Sequence, residues 1–146
     1  MGWLSIKLLF TLVVVAASFM LRNPVARVVR FTLDPTHVYI YNDIEYGPTL
    51  YVHCRSKDDD LGEQVIPPKF SWDFSFGLDL LTRETEFDCS FKFNDESHLY
   101  PIYLQPRDEF DCAYCYWKIT EAGPCRTDEN HTVIKPCDSW VGGVLR

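Results

Sequence analysis

The sequence predicts an all-β protein, a disulfide-stabilised antiparallel β-sandwich with an immunoglobulin-like two-sheet architecture. Apolar residues recur at every second position in five segments, which is the period of a pleated strand with one buried face. Turn-forming residues separate these segments, and none of the segments shows apolar residues at helical spacing. Six cysteines among 146 residues indicate an oxidising compartment. Five to eight short strands of this kind are expected to form two sheets packed face to face.

The first 18 residues have the features of a secretory signal peptide. Lys7 supplies positive charge, and the ten residues from Leu8 to Ala17 are largely apolar. Ala17 and Ser18 are small, as a signal peptidase requires beside the bond it cuts. We therefore expect cleavage near these two residues and a secreted, extracellular protein.

An uncleaved signal anchor is the alternative interpretation. Arg22, Arg27 and Arg30 favour it, because they place positive charge after the apolar run. The run from Leu8 to Leu21 has only 14 residues, whereas a spanning helix needs about 20. We therefore expect no membrane insertion once the signal is cleaved.

The β-sandwich domain is predicted over residues 37–125. Residues 19–36 precede it as an irregular lead-in, or as an extra edge strand through Arg27 to Leu33, and a C-terminal tail with Cys137 follows over residues 126–146. The apolar phases of the five strands are Val38 and Ile40; Leu50, Val52 and Cys54; Phe70, Trp72, Phe74 and Phe76; Phe87, Cys89, Phe91 and Phe93; and Cys115, Trp117 and Ile119. The turns are predicted at Asn42-Asp43, Gly47-Pro48, Asp58 to Gly62, Pro67-Pro68, Asn94 to Ser97 and Gly123-Pro124.

The cysteines are expected to form disulfides, with fifteen pairings open for six residues. The six are Cys54, Cys89, Cys112, Cys115, Cys125 and Cys137. A bond between Cys115 and Cys125 is disfavoured, because a strand and its turn would hold them roughly 15 Å apart, and a disulfide tolerates at most about 6.8 Å between Cα atoms. Asn130-His131-Thr132 is a glycosylation sequon, so Asn130 is a predicted glycosylation site in a secreted chain.

The negative net charge of the chain argues against nucleic acid as a partner. The formal charge is −7 and the sequence pI is near 5.0, whereas nucleic-acid binding needs a basic surface. We expect no nucleic-acid partner.

Three features invite a chemical interpretation, and for each a structural one is favoured. The Asp58-Asp59-Asp60 run offers carboxylates to calcium, but Leu61 and Gly62 follow directly and leave no alternating ligand pattern. His53 and Cys54 are strand neighbours that point to opposite faces, so they form no catalytic pair. Cys112 and Cys115 have redox spacing, but they enter a strand and are interpreted as two structural half-cystines. His37, His98 and His131 are expected at the surface.

One set of segments resembles the plant self-incompatibility protein family, the S-protein homologues. The most distinctive segment is Val52-His53-Cys54-Arg55-Ser56-Lys57-Asp58-Asp59-Asp60-Leu61-Gly62, where Arg55 departs from the family's usual lysine. The others, in the family's order, are His37 to Asp43, Trp72-Asp73-Phe74-Ser75-Phe76, Glu86 to Phe91, Arg107-Asp108, Cys112 to Ile119 and Gly123-Pro124-Cys125. The resemblance spans about residues 37 to 125.

The resemblance implies a secreted plant recognition protein that binds a cell-surface receptor, in pollen rejection or related cell-cell communication. We expect a monomer, no cofactor, no metal and no enzymatic activity. The candidate receptor-binding loop is Arg55, Lys57, Asp58, Asp59 and Asp60, because loops on a rigid sandwich vary freely. The loops Asn42 to Pro48 and Asn94 to Ser97 are further candidates.

Two other functions remain open from the sequence. A secreted glycan hydrolase would need two carboxylates about 5 to 9.5 Å apart in a concave site. A glycan-binding wall protein would need an exposed, coplanar row of aromatic rings. Tyr39, Tyr41, Tyr51 and Tyr116 lie on the polar phase of their strands and could supply one.

Overall fold

Residues 36–127 of the computed structural model form two four-stranded sheets. The structure describes residue 7, residues 10–15 and residues 34–140. Within the last range the strands are β1 (Thr36–Asn42), β2 (Leu50–Arg55), β3 (Asp60–Ile66), β4 (Ser71–Phe76), β5 (Glu86–Phe93), β6 (Glu96–Leu104), β7 (Tyr114–Thr120) and β8 (Gly123–Thr127), and a helix, Gln105–Asp108, follows β6.

The two sheets have the orders β4-β1-β7-β8 and β3-β2-β5-β6. We call them sheet A and sheet B. Neighbouring strands are antiparallel except β1 and β7, which are parallel, with Val38 opposite Cys115 and Ile40 opposite Trp117. The predicted all-β, two-sheet fold is confirmed, and this parallel pair is the departure from a wholly antiparallel one.

Side chains alternate along the strands as the sequence predicts. Odd and even residues of β1 are half-buried and buried in turn, and every second residue of β5 from Phe87 to Phe93 is buried. Trp72, Phe74 and Phe76 of the edge strand β4 are partly buried and pack against the core, as expected. Phe70 was predicted on the same face, but it precedes β4 and is exposed, so that part of the prediction is wrong. Burial of these apolar faces supplies most of the favourable free energy of folding.

Three disulfides join the cysteines as Cys54–Cys89, Cys112–Cys115 and Cys125–Cys137. The disfavoured bond between Cys115 and Cys125 does not form. Cys54 of β2 lies directly opposite Cys89 of β5, and both are fully buried. This bond therefore ties the two central strands of sheet B inside the core.

The C-terminal residues, set apart as a tail in the sequence, begin inside β8 and continue along the domain to Trp140. The indole of Trp140 stacks on the His98 ring with centroids 4.5 Å apart and donates a hydrogen bond to the Glu121 carbonyl over 2.9 Å. His98 is therefore buried, and its expected place at the surface is wrong. The Tyr100 hydroxyl donates to the Asp138 carboxylate. Burial, with this hydrogen bond second, raises the pKa of Tyr100.

Some predictions lie outside the described residues. Residue 7 and residues 10–15 are helical, but the cleavage position at Ala17 or Ser18 and the possible edge strand through Arg27 to Leu33 fall where the structure describes nothing. Among the described residues, no helix is long and apolar enough to cross a membrane.

Candidate functional site

The predicted recognition loops lie at opposite ends of the sandwich. The β2–β3 turn lies at one end, since Arg55 is paired with both Asp60 and Asp88 there. The loops Asn42 to Pro48 and Asn94 to Ser97 lie at the other end, where β1 finishes and β5 turns into β6. The structure brings a different segment to the β2–β3 turn, the β4–β5 loop over residues 77–85, and the two share the lining of one groove. We call residues 55–62 and 77–85 the loop end.

Backbone hydrogen bonds fix the turn from Ser56 to Asp59. The Ser56 amide donates to the Asp59 carbonyl over 2.8 Å. The Ser56 hydroxyl accepts from the amides of Asp58 and Asp59 over 3.2 and 2.9 Å. Short polar side chains that bond nearby backbone groups stabilise turns in this way.

Asp60 anchors the start of β3. Its carboxylate accepts hydrogen bonds from the Arg55 guanidinium over 2.9 Å and from the Gly62 amide over 2.9 Å, and it contacts the His53 ring. Gly62 lies in a bulge, where its φ of 69° is open to glycine at little cost. The bond with His53, the Gly62 amide and the Arg55 charge lower the pKa of Asp60 to about 2.

The three side chains between Ser56 and Asp60 do not help to hold the turn. Lys57, Asp58 and Asp59 are exposed, and none of them forms an ion pair with another residue in the part of the chain that the structure describes. The predicted loop therefore divides into two anchoring residues, Arg55 and Asp60, and three presented charges. No group of His, Cys, Asp and Glu residues able to hold a metal is found in the described ranges.

The β4–β5 loop is the part of the loop end that sequence reasoning missed. The Asp79 carboxylate accepts from the amides of Leu81 and Thr82 over 2.9 and 3.0 Å and from the Thr82 hydroxyl, which lowers the pKa of Asp79. The spacing Asp79-x-x-Thr82 is the one sequence signal of this turn. Leu81 is 95% exposed beside it.

Gln105 fastens this loop to the domain. Its side chain is fully buried, accepts from the Thr85 amide over 3.1 Å and donates to the Asp79 carbonyl over 3.2 Å. Its amide nitrogen also donates to the Glu109 carboxylate, which pairs with Arg83. The β2–β3 turn is thus held by local hydrogen bonds, and the β4–β5 loop by the side chain of the distant Gln105.

A groove of about 770 Å³ opens beside the β2–β3 turn on the outer face of sheet B. His53 and Arg55 line it from β2, and Glu86 and Asp88 line it from β5, with Glu84 from the loop end. The groove therefore places three carboxylates and several basic groups on one concave surface.

The outer face of sheet A carries the aromatic row that the sequence allowed. His37 stacks on Tyr114 at 5.0 Å, Tyr39 on Tyr116 at 4.7 Å, and Tyr41 on His131 at 3.9 Å, with ring planes within 20° of parallel. Parallel rings at centroid distances near 5 Å are stacked with an offset. The faces that meet within each pair are therefore partly covered. Tyr51 lies apart, on β2 of sheet B.

The opposite end of the sandwich is closed by Asn42. Its amide donates to the Pro48 and Ile66 carbonyls over 2.9 and 3.0 Å, and its side-chain oxygen accepts from the Ile44 amide over 3.2 Å. Asp43 pairs with Lys69 and Lys118. These contacts engage Asn42 and Asp43, whereas Glu45 and Tyr46 of the same loop are exposed.

A cluster of charges around Asp108 was not foreseen. The Asp108 carboxylate is buried and binds the guanidinium groups of Arg107 and Arg126 over 2.7 and 3.0 Å. The Arg126 guanidinium lies 4.6 Å from the Trp117 ring centroid and donates to Cys112 Sγ over 2.9 Å. Only the adjacent pair Arg107-Asp108 hinted at it in the sequence. Asn130, in an exposed turn after β8, is accessible for modification.

Fold and site together define a small disulfide-bonded β-sandwich that presents charged loops. The family model of plant self-incompatibility protein S1 matches residues 37–140. Among curated proteins, S-protein homolog 2 of Arabidopsis thaliana is 41% identical over 115 residues, covering 75% of this chain and 71% of that protein. S-protein homolog 4 of the same plant is 38% identical over 109 residues, covering 72% of each.

The chain therefore belongs to the plant self-incompatibility S1 family, the S-protein homologues. A solved structure described as a self-incompatibility protein homologue matches the fold with a TM-score of 0.53 and 20% identity, covering 74% of this chain and 96% of that one. Its description calls these proteins a widespread family of small, highly stable, secreted proteins from plants. The chain is thus a member of a secreted plant family, as predicted.

Proposed function

We propose that this protein is an extracellular recognition ligand whose loop end contacts a cell-surface receptor. One observation carries the proposal: Lys57, Asp58 and Asp59 extend from a turn that hydrogen bonds already fix. A preordered loop loses little conformational entropy on binding, so more of its contact energy appears as affinity. Arg55, Ser56 and Asp60 hold the turn, and Lys57, Asp58 and Asp59 contact the partner.

The experiment compares two charge reversals. Asp59→Lys changes the presented turn, and Glu121→Lys makes the same reversal on the exposed β7–β8 turn at the opposite end. Labelled oxidised protein is added to plant protoplasts, and the saturable fraction of binding is measured. We expect Asp59→Lys to weaken saturable binding at least about tenfold, the effect of about 1.4 kcal/mol, and Glu121→Lys to leave it unchanged.

Thermal unfolding of both variants provides the control. If Asp59→Lys keeps the wild-type midpoint and still binds like wild type, the loop end is not the contact surface. If Asp59→Lys unfolds instead, the turn is structural and the assignment is wrong.

The proposal also covers signal-peptide cleavage, glycosylation and oligomeric state. We infer that residues 1–18 are removed as a signal peptide, that Asn130 carries a glycan and that the mature protein is a monomer. Mass spectrometry of the secreted protein, before and after glycosidase treatment, measures both modifications.

The groove on sheet B favours one second candidate, the hydrolysis of a wall glycan. Glu86 and Asp88 are two residues apart on β5 and line the same concavity, which resembles the paired carboxylates of glycosidases. Release of reducing sugar from plant wall polysaccharides, lost in Glu86→Gln and Asp88→Asn, would establish this candidate. Equal sugar release with and without the protein would leave recognition as the function.

A further inference from the structure

We propose that Cys112 and Cys115 form a thiol–disulfide exchange site that reacts with a cysteinyl thiolate. The two cysteines are bonded to one another, three residues apart, at the entry to β7. Their bond agrees with the sequence-based interpretation as two half-cystines, and the proposal adds a reaction at that bond. The inference stands independently of the proposed receptor contact.

Access favours attack at one sulfur. Cys115 is fully buried, whereas Cys112 is partly exposed and lines an open groove of about 400 Å³ with Tyr114, Tyr116 and Asp128. An incoming thiolate therefore reaches Cys112. The Cys54–Cys89 bond offers no such approach, because both of its residues are fully buried. The Cys125–Cys137 bond can be approached at the exposed Cys137, so what distinguishes Cys112 from Cys137 is its charged surroundings and not access alone.

A buried guanidinium faces the accessible sulfur. Arg126 Nη2 donates to Cys112 Sγ over 2.9 Å, and Nη1 is buried with no hydrogen-bond partner among the described residues. Asp108 and Asp111 offset part of the Arg126 charge, and Arg107 adds to the local positive charge. When the mixed disulfide at Cys112 is later resolved, Cys112 becomes an anion beside this guanidinium, and cations next to a thiolate stabilise it.

The geometry also allows the bond to close again. The Cys112 amide donates to the Asp108 carbonyl over 3.0 Å, and Cys115 is held in β7 by pairing with β1. Both sulfurs therefore remain near one another after reduction. This is the arrangement of an accessible attacking cysteine and a buried resolving cysteine.

The exchange proceeds in two steps, and each step conserves atoms and electrons. A thiolate attacks Cys112 Sγ and forms a mixed disulfide, while the Cys112–Cys115 bond breaks and its electron pair remains on Cys115, which takes a proton from water. A second thiolate then attacks the partner sulfur of the mixed disulfide, and Cys112 leaves as a thiolate beside Arg126. Two electrons pass from two thiols, which become a disulfide, to the Cys112–Cys115 pair.

The first test follows the order of reduction. The oxidised chain is equilibrated in glutathione buffers of increasing reducing strength, and free thiols are alkylated and located by mass spectrometry. We expect Cys112 and Cys115 to be labelled at ratios where the other four cysteines stay protected. Opening of Cys125–Cys137 first, or of all three bonds together, would overturn the proposal. A parallel arm with a single-cysteine peptide distinguishes exchange with proteins from exchange with small thiols.

The second test measures the thiolate directly. Cys115→Ser leaves Cys112 free beside Arg126, and Cys125→Ser leaves the exposed Cys137 free as a matched control. We expect the Cys112 thiol to titrate about one pH unit or more below the Cys137 thiol, followed by absorbance at 240 nm. Equal midpoints would contradict the role of Arg126, as would a Cys112 midpoint that Arg126→Gln leaves unchanged in the Cys115→Ser background.

Arg126→Lys in the same background separates charge from packing. The lysine keeps the positive charge but lacks the planar guanidinium group with its several N–H donors. We expect it to restore most of the lowered Cys112 midpoint. The comparison with Cys137 uses no Arg126 variant, so the proposal stays testable even if Arg126→Gln fails to fold.

Discussion

At the scale of single residues, Asp60 explains how three charges can be presented without a disordered loop. Its carboxylate accepts from Arg55 and Gly62 and contacts His53, so it closes the turn from the β3 side. Ser56 closes the turn from the β2 side. The side chains between them are then free to face a partner.

The titration of Asp60 tests this role. Its pKa falls from 3.8 to about 2 in the folded protein, so the anchored state is favoured above the unfolded pKa and loses this support as the pH falls towards 2. Carboxyl carbon shifts in NMR spectra should give a midpoint near 2 for Asp60. A midpoint near 4 would show that the anchoring bonds do not persist in solution.

At the scale of elements, the segment after β8 depends on a close approach at Gly123. Its φ is 147°, and a Cβ added there would lie 1.8 Å from the Asp138 carbonyl oxygen. The Asp138 amide donates to the Pro124 carbonyl, and the Cys125–Cys137 bond secures the same contact. A side chain at position 123 would therefore separate this segment from β8.

Gly123→Ala should destabilise the fold by more than about 1 kcal/mol, because alanine is strained at positive φ and clashes with the backbone. Denaturant unfolding measures the loss, and Trp140 fluorescence reports the loosening of the segment. Gly77→Ala is the matched control, since a Cβ at Gly77 meets nothing within 4 Å. Equal stability of the two variants would contradict the close packing.

Elements with regular alternation could be predicted from the sequence, and the others could not. In β3 Val65 is exposed beside buried Ile66, and a bulge interrupts the pairing. In β6 Pro101 lies next to a register shift. All five residues of β8, including Arg126, are buried, so no alternation marks that strand.

In the candidate site, too, one part could be predicted from the sequence and another could not. The charges of the Asp58-Asp59-Asp60 run marked an exposed turn in the sequence, because they lie close together in the chain. The β4–β5 loop could not be foreseen, because Gln105 holds it through bonds that span 20 and 26 residues. Contacts of that kind follow from the tertiary fold alone.

At the scale of the whole molecule, the three disulfides divide the stabilisation unequally. A disulfide restricts the unfolded chain more as the closed loop lengthens. The sequence separations are 35 for Cys54–Cys89, 12 for Cys125–Cys137 and 3 for Cys112–Cys115. On loop length alone these bonds contribute about 4, about 3 and about 2 kcal/mol respectively.

Replacing each pair by alanine should follow that order, with the largest loss for Cys54 and Cys89, whose side chains are also part of the core. Chemical denaturation at equal pH and ionic strength compares the three double variants. A larger loss on removing Cys112 and Cys115 than on removing Cys54 and Cys89 would show that the shortest bond is the main structural constraint.

The whole fold also keeps its two ends different. One end ties Asn42 into internal hydrogen bonds and leaves Glu45, Asp95 and Glu121 exposed on separate loops, while the other presents Lys57, Asp58 and Asp59 together on one turn. A partner that contacts the loop end would therefore meet exposed charges on a fixed frame. Recognition at this end is the claim on which the account depends.

Photo-crosslinking from single positions tests that claim most directly. A photoreactive residue is placed at position 59 or, as the control, at position 121, and each protein is irradiated on intact plant protoplasts. We predict that position 59 captures a discrete plasma-membrane protein that excess unlabelled wild type displaces, and that position 121 does not. Capture of the same displaceable protein from position 121 and not from position 59 would contradict the account.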